Sequence, residues 1–253
     1  MGNLEKVDLY QKTINKLRPF EGEMLKQIKD FYRVCLTWTS NALEGNSLTE
    51  SETKVLIEDG LTVGGRPLRD MFEAVDHAKA YDYMFTLLDS KYITENNILY
   101  LHELFYKNID EEFAGKYRDI PVFISGSNYP VTKVEDIKKE ISDLCDWIRM
   151  KRDRYHPIEF AALVHIKFVF IHPFKDGNGR VARLLMNAAL IQDGYLPVLI
   201  PPILRSEYIS LLEKAHENDS PFVDFIIERE LESQKDFLRM LHIKPPSLEV
   251  DRS

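Results

Sequence analysis

Residues 158–193 read IEFAALVHIKFVFIHPFKDGNGRVARLLMNAALIQD, and this stretch decides the fold. Apolar residues recur at helical spacing over 158–171 and again over 179–193, which predicts two helices joined by a short loop. Pro173 ends the first helix at about His172, because the residue before a proline is displaced from helical geometry. The glycines of the turn then open the second helix. The sequence therefore predicts a helix–loop–helix unit that the other elements surround.

Helical spacing of apolar residues also occurs along most of the chain. Residues 21–45 are predicted to form a long helix that Gly45 ends. A helix over 47–60 follows, with Ser47 or Thr49 as its N-cap. Further helices are predicted over 70–88, 94–107, 134–150, 206–218 and 221–241. The predicted fold class is therefore all-α, a bundle of helices.

One segment departs from this spacing. Residues 117–124, YRDIPVFI, are followed by the turn-rich SGSNYP at 125–130, a pattern typical of a short β-hairpin. An isolated hairpin is marginally stable, so it has to pack against the helices, where it can cover a site as a flap. A plain connector between helices is the alternative interpretation.

Composition limits the classes of protein and partner. The chain has 253 residues, is 44% hydrophobic, and carries 33 Lys+Arg against 41 Asp+Glu, a formal net charge of −8. It is long enough to bury a core and shows no linker or repeat, so we expect one domain over 1–253 with a flexible tail at 243–253. The negative charge argues against binding to a nucleic-acid polymer. Cys35 and Cys145 are far apart, which excludes a disulfide framework and a cysteine zinc site.

The N-terminal residues are charged and polar where a signal peptide would need an apolar stretch. No run approaches the roughly 20 apolar residues that a membrane span requires. These patterns predict a cytoplasmic protein without a membrane partner.

The predicted loop combines residue types that suit phosphate chemistry. Gly177, Asn178 and Gly179 form a turn at a helix N-terminus, where free backbone N–H groups and the helix dipole favour an anion. Arg180 and Arg183 lie on the first turn of that helix, where their charge opposes the dipole. An anionic ligand such as phosphate accounts for that placement. Each feature taken singly also occurs in ordinary turns.

Two more side chains of the loop extend this interpretation. Asp176 offers one hard carboxylate oxygen, and a single carboxylate together with substrate phosphates commonly holds Mg²⁺. His172 is a neutral base suited to taking a proton from a hydroxyl near neutral pH. Together these groups predict phosphoryl or nucleotidyl transfer. Phe174 is expected to pack, and His165, which lacks zinc-like partner spacing, is interpreted as a structural helix residue.

The ordered string HPFKDGNGRVAR at 172–183 resembles the signature of the Fic family, H-x-F-x-[D/E]-G-N-G-R-x-x-R, at every defined position. The resemblance covers about 40–225, with a Fic core at 94–225. It implies an all-α fold in which two helices and the motif loop form the active site beneath a β-hairpin flap. The flap resemblance assigns nucleotide contacts to four residues: Ile124, Ser125, Gly126 and Ser127.

A downstream element is also similar to the family's. Tyr208 falls in the part that contacts the nucleoside, and His216 stands where relatives often carry Asn.

The resemblance implies transfer of AMP from ATP to a Tyr, Thr or Ser hydroxyl of a protein target, with release of pyrophosphate. His172 would be the general base and Asp176 the Mg²⁺ ligand. The Gly177–Gly179 turn would bind the α- and β-phosphates, with Arg180 assisting and Arg183 reaching the γ-phosphate. Self-modification and homo-oligomers occur among relatives and stay open for this chain.

Other functions also stay open. Kinase-like relatives usually replace the second glycine of the turn with a bulkier residue, whereas Gly179 keeps the AMP-transfer form. Removal of AMP at the same site is one alternative function. A nucleotide-bound sensor or interaction module without turnover is the other.

Residues 40–45, SNALEG, resemble the family's inhibitory motif, [S/T]-x-x-x-E-[G/N]. Ser40 and Glu44 lie one turn apart near the end of the predicted helix over 21–45, where the dipole disfavours a negative charge. A cation nearby would stabilise Glu44, whereas a plain solvated residue at a helix end is the alternative interpretation. The resemblance implies that this cation is Arg183, and that the pairing keeps the arginine from the γ-phosphate.

Overall fold

The architecture is a helical bundle. It comes from a computed structural model that describes residues 2–88, 90 and 92–247. The described residues form ten α-helices and no β-strand, which confirms the mainly α fold class. The helices are α1 Asn3–Asn15, α2 Gly22–Leu43, α3 Glu50–Glu58, α4 Leu68–Thr86, α5 Glu95–Tyr106, α6 Ile137–Lys151, α7 Pro157–Ile171, α8 Asn178–Gln192, α9 Arg205–Lys214 and α10 Ser220–Met240.

Nine of these helices occupy segments in which apolar spacing predicts them. Of the two predicted N-caps for α3, Thr49 is the one used: its hydroxyl accepts from the N–H of Glu52, and the Glu52 carboxylate accepts from the N–H of Thr49. The helix predicted over 206–218 ends earlier, at Lys214. Helix α1 lies in the polar N-terminal segment, in which no helix is predicted. It buries Val7, Tyr10 and Ile14 against α10.

The strand pairing of the predicted β-hairpin is absent from residues 117–133. The chain is extended there and turns where the N–H of Ser127 donates to the carbonyl of Ile124 at 3.1 Å. The guanidinium of the buried Arg118 donates instead to the carbonyls of Ile120 and Thr132. One cation thus binds carbonyls on both arms of the segment. We call residues 117–133 the flap.

The hydrophobic core is built around α7 and α8. Helix α7 is apolar on nearly all sides, and Phe160, Val164 and Phe168 are fully buried in it. A helix that is apolar all round belongs inside the bundle, because every face needs a packing partner. Helix α8 packs along it, while α2 and α4 cover the other side of α8. This packing brings the end of α2 beside the start of α8.

The C-terminal tail is described only in part. Residues 243–247 are non-helical, and 248–253, the rest of the tail that we expect to be flexible, lie outside the described residues. Across 2–88, 90 and 92–247, the helices are too short or too polar to cross a membrane.

Candidate active site

Two residues of the loop between α7 and α8, His172 and Gly177, have positive φ angles. His172 ends α7 in the left-handed region at φ 50°, and its N–H donates to the carbonyl of Phe168 at 3.1 Å. Gly177 precedes α8 at φ 80°, where a side chain is strained. A Cβ on Gly177 would also overlap the ring of Phe105. The glycine is therefore required both by its backbone angle and by its neighbour.

The side chain of Asn178 fastens the loop. Its Oδ1 accepts from the N–H of Phe174, and its Nδ2 donates to the carbonyl of the same residue, both at 2.9 Å. Phe174 is fully buried and stacks on His102 with ring centroids 3.8 Å apart, as expected for a packing residue. His102 accepts at Nδ1 from the N–H of Gly115 and contacts the carbonyl of Asp176 through Nε2 at 3.1 Å. The loop is thus rigid before any ligand binds.

The N-terminus of α8 is open to an anion. The first intrahelical hydrogen bond runs from the N–H of Val181 to the carbonyl of Gly177, so the N–H groups of residues 178–180 have no partner within the helix. A Cβ on Gly179 would overlap Oε1 of Glu44. A carboxylate therefore already stands against the helix N-terminus, where negative charge is stabilised.

Arg183 holds that carboxylate from the next turn of α8. Its Nη2 donates to Oε1 of Glu44 at 2.7 Å and to the carbonyl of Ser40 at 2.9 Å. Its Nε donates to the hydroxyl of Ser40 at 2.9 Å, and its Nη1 to the hydroxyl of Tyr208 at 3.2 Å. The structure therefore brings together Ser40, Glu44, Arg183 and Tyr208 although they are widely separated in the sequence.

The pKa of Glu44 reflects this arrangement. Burial by itself would raise the pKa, but the charge and hydrogen bond of Arg183, with smaller effects of Arg180 and Arg205, bring it below its usual value. Arg205 also donates from Nε to the carbonyl of Leu43 at 2.7 Å, which satisfies the end of α2 and fixes Glu44 in place. Glu44 is thus an ionised carboxylate at neutral pH.

Arg180 has partners that the sequence analysis missed. Its guanidinium is almost fully buried and lies 3.2 Å from Oε1 of Glu73, 3.4 Å from Oδ1 of Asn41 and 3.5 Å from Oδ1 of Asp176. It also lies over the ring of Phe105 at 4.9 Å. Glu73 is on α4, and its position on a helical face carries no local signal that it would neutralise an arginine of α8.

His172 and Asp176 lie on the loop with different exposure. Burial lowers the pKa of His172 to about 4, against a smaller opposing effect of the Val169 carbonyl. The imidazole is therefore neutral at neutral pH, as a proton acceptor must be. The Asp176 side chain is 43% exposed, and it accepts from the N–H of Gly177 at 2.6 Å and from Nη2 of Arg69 at 3.2 Å. No cluster of three or more His, Cys, Asp or Glu suited to a metal occurs in the part of the chain that the structure describes.

The base of the flap is tied directly to the motif loop. Arg118 donates from its backbone N–H to the carbonyl of Pro173 and from Nε to the carbonyl of His172, both at 2.9 Å. The sequence analysis includes Arg118 in the flap without assigning it a role. The same residue therefore binds the motif loop and both arms of the flap.

The tip of the flap is fastened to the end of α9. The N–H of Asn128 donates to Oε1 of Glu213, and the hydroxyl of Tyr129 to Oε1 of Glu217, both at 2.7 Å. The ring of His216 is stacked between Tyr129, at 4.0 Å, and Phe170 of α7, at 3.7 Å. The four residues expected to line a nucleotide, 124–127, therefore lie on a flap anchored at both ends.

The sequence and the fold both match known proteins. Residues 92–190 match the model of the Fic/DOC family. The protein adenylyltransferase Fic of Nematostella vectensis is 36% identical over 227 residues, which span 88% of this chain and 52% of that protein. The Drosophila melanogaster protein of the same name is 33% identical over 228 residues, 89% of this chain and 46% of that protein. The chain thus spans about half the length of the curated relatives it matches.

Two solved structures share the architecture. Fic-1 from Caenorhabditis elegans superposes with a TM-score of 0.86 at 28% identity, covering 95% of this chain and 72% of that one. A Fic domain containing signaling protein from Bacteroides thetaiotaomicron superposes with a TM-score of 0.85 at 28% identity, covering 98% and 100%. Together with the complete motif at 172–183, these matches show that the chain belongs to the Fic/DOC family.

Proposed function

We propose that this chain is a protein adenylyltransferase that transfers AMP from ATP to a hydroxyl of a protein target. One observation carries the proposal: Oε1 of Glu44 lies 2.7 Å from Nη2 of Arg183 and close against Gly179, so a negative charge is already paired beside the N-terminus of α8. A site built for an anion, next to the neutral His172, suits a reaction on a phosphate ester. The relatives named protein adenylyltransferase support the same reaction.

The chemistry follows from the loop. His172 takes the proton of the target hydroxyl while the hydroxyl oxygen attacks the α-phosphorus of ATP. The bond from that phosphorus to the bridging oxygen of the β-phosphate breaks, and pyrophosphate leaves. Backbone N–H groups at the start of α8 and the guanidinium of Arg183 stabilise the charge that develops on the phosphate oxygens.

The residues present fit a Mg²⁺ ion. Asp176 is partly open to solvent, and its Oδ2 is bonded to the exposed Arg69, which can move aside. One carboxylate together with substrate phosphates is a common way to hold Mg²⁺. When bound there, Mg²⁺ neutralises charge on the phosphates of ATP.

We further propose that Glu44 inhibits the enzyme. Its carboxylate lies against Gly179 and binds Arg183. The phosphates of ATP therefore have to displace the carboxylate of Glu44 from Arg183 before they can bind there. Ser40 strengthens the pairing through two hydrogen bonds to the same guanidinium. The rest of the proposal is a single domain over 1–253, a cytoplasmic location and a protein target, and self-modification is compatible with it. A homo-oligomer is compatible with it.

The test uses ATP labelled at the α-phosphate, with a protein extract supplying acceptors. Glu44→Gly is expected to transfer far more label to protein than the wild type, and Glu44→Gly with His172→Ala to transfer none. Glu23→Gly is the matched control, because Glu23 is an exposed glutamate of the same helix α2. With ATP labelled at the γ-phosphate, the label on protein should be the same for Glu44→Gly as for Glu44→Gly with His172→Ala, because kinases of the extract act equally in both. Nucleotide binding without transfer in Glu44→Gly would overturn the enzyme proposal in favour of a sensor.

A further inference from the structure

His165 is a buried histidine whose contacts extend to the anion site. It lies on α7 with no exposed surface, and its Nε2 is 2.9 Å from the hydroxyl of Tyr208. That hydroxyl accepts from Nη1 of Arg183 at 3.2 Å. From the sequence we interpret His165 as a structural residue. In the fold, hydrogen bonds connect Arg183 to Tyr208 and Tyr208 to His165.

The direction of the hydrogen bonds follows from which groups can donate. A guanidinium only donates, so the oxygen of Tyr208 accepts from Arg183. Burial and the charge of Arg183 lower the pKa of His165 to about 3, so its imidazole is neutral. Burial likewise raises the pKa of Tyr208 and keeps its hydroxyl protonated. The hydroxyl proton therefore has Nε2 of His165 as its acceptor, and the imidazole proton lies on Nδ1.

The tautomer with the proton on Nδ1 of His165 has a cost in free energy, and this cost indicates that orienting the Tyr208 hydroxyl is its role. Nδ1 of His165 is buried and makes no hydrogen bond, and a buried unpaired donor costs free energy. With the proton on Nε2 instead, the hydroxyl proton of Tyr208 and the lone pair of Nδ1 would both lack a partner. In the tautomer with the proton on Nδ1, one donor of His165 is left without a partner, and the lone pairs of the Tyr208 oxygen face Arg183.

The hydrogen bond between Arg183 and Tyr208 differs from the others of this guanidinium in the helix that supplies the partner, because Tyr208 lies on α9. Three of the four hydrogen bonds of the guanidinium go to Ser40 and Glu44 at the end of α2. Among the residues that the structure describes, the bond to Tyr208 is the one that does not come from the end of α2. When Glu44 leaves Arg183, this is the hydrogen bond that can persist and hold the guanidinium in the site.

We propose that His165 and Tyr208 are a positioning pair that holds Arg183 toward the terminal phosphate of ATP once Glu44 has released it. His165 acts through Tyr208 and touches no substrate. The inference rests on the proposed function, in which Arg183 reaches the γ-phosphate. It therefore requires that the pair affects binding of ATP and has no effect on binding of ADP, which lacks that phosphate.

The experiment measures ATP and ADP affinity by calorimetry in Glu44→Gly with His172→Ala, which frees Arg183 and prevents turnover. Adding His165→Leu is expected to weaken ATP binding about tenfold, the effect of a lost hydrogen bond to a charged group, and to leave ADP binding unchanged. His165→Gln, whose Oε1 can accept in place of Nε2, should restore ATP binding. Equal losses for ATP and ADP, no loss for ATP, or no recovery with glutamine would each overturn the proposal.

Two further measurements keep the test decisive. If His165→Leu does not fold, Tyr208→Phe removes the hydroxyl while keeping the ring packed on Phe222, and the same ATP-specific loss is expected. If the parent variant binds neither nucleotide, the proposed function fails on its own. The pair is then tested by ¹⁵N NMR of the imidazole in the wild-type protein, where a proton found on Nε2 of His165 would overturn it.

Discussion

Nη2 of Arg183 lies 2.7 Å from Oε1 of Glu44, so an arginine of α8 neutralises a carboxylate at the end of α2, 139 residues earlier in the chain. The guanidinium is almost completely buried, and one third of the glutamate side chain is exposed. Solvent thus reaches the carboxylate while the arginine stays in the protein. We expect Glu44 to be the partner that moves when the pair opens.

Weakening the pair in steps should raise AMP transfer in steps. Ser40→Ala removes one of the two bonds that Ser40 makes to Arg183, and Glu44→Gln keeps an acceptor but loses the charge. A hydrogen bond to a charged group contributes about 1.5–3 kcal/mol, so Glu44→Gly should transfer label roughly 10–100 times faster than wild type. The two milder variants should fall between them in initial rates measured with α-labelled ATP. Equal rates in all four proteins would contradict an inhibitory pair.

Mild acid should not release the inhibition. The pKa of Glu44 is lower in the folded protein than its ordinary value, with burial opposing and Arg183 producing the shift. A carboxylate shifted in this direction stabilises the fold above its unfolded pKa, and the effect is lost only as the pH falls through the folded pKa. The ratio of rates between Glu44→Gly and wild type should therefore stay constant from about pH 8 to about pH 5. A ratio that falls steadily across this range would show that another group controls the pair.

Glu73 should be important for stability. It is the buried counterion of Arg180, and removing one partner of a buried pair leaves an uncompensated charge. Glu73→Gln should lower the free energy of unfolding by about 3 kcal/mol, measured by urea denaturation. Arg69→Gln is the matched control, because this exposed arginine binds the same oxygen, Oε1 of Glu73, from the surface, and surface pairs contribute about 0–1 kcal/mol. Similar midpoints for the two variants would argue that Arg180 does not depend on Glu73.

Glu230 should make stability depend on pH. Burial raises its pKa to about 8, and Oε1 accepts from the N–H of Leu196 at 3.2 Å while Oε2 has no hydrogen-bond partner. A carboxyl group shifted upward stabilises the fold fully below its unfolded pKa, and this contribution is lost as the pH rises toward about 8. Glu230→Gln, which is neutral at every pH, should therefore raise Tm relative to wild type at pH 8 more than at pH 5. Parallel Tm curves would place the titration elsewhere.

The stacked ring of His216 should hold the flap tip. Aromatic stacking contributes about 1 kcal/mol, so His216→Ala should speed hydrogen exchange of the Asn128 amide about fivefold. Lys214→Ala, a change at the exposed last residue of α9 two positions before His216, is the control and should leave exchange unchanged. Unchanged exchange in His216→Ala would mean that Glu213 and Glu217 hold the tip without the stack.

Much of the fold and of the motif loop could be predicted because its determinants are local. The spacing of apolar residues over 158–193 defines α7 and α8, and Pro173 and Gly177 act on the backbone angles of their own neighbourhood. Nine helices follow from the same rule. Helix α1 is not predicted because charged and polar residues dominate the segment, although its buried Val7, Tyr10 and Ile14 lie three and four residues apart.

The partners of the charged residues were decided by the tertiary structure. For a single carboxylate on a helix, such as Glu73, neither the spacing of residues nor the neighbouring sequence predicts which cation it will pair with. The same holds for His165, whose partner Tyr208 lies 43 residues away. The same holds for Arg118, because Thr132, whose carbonyl it binds, lies 14 residues away. The sequence by itself determined the helices and the anion-binding turn through local geometry, and only packing decided which charges meet, since Coulomb attraction acts through space.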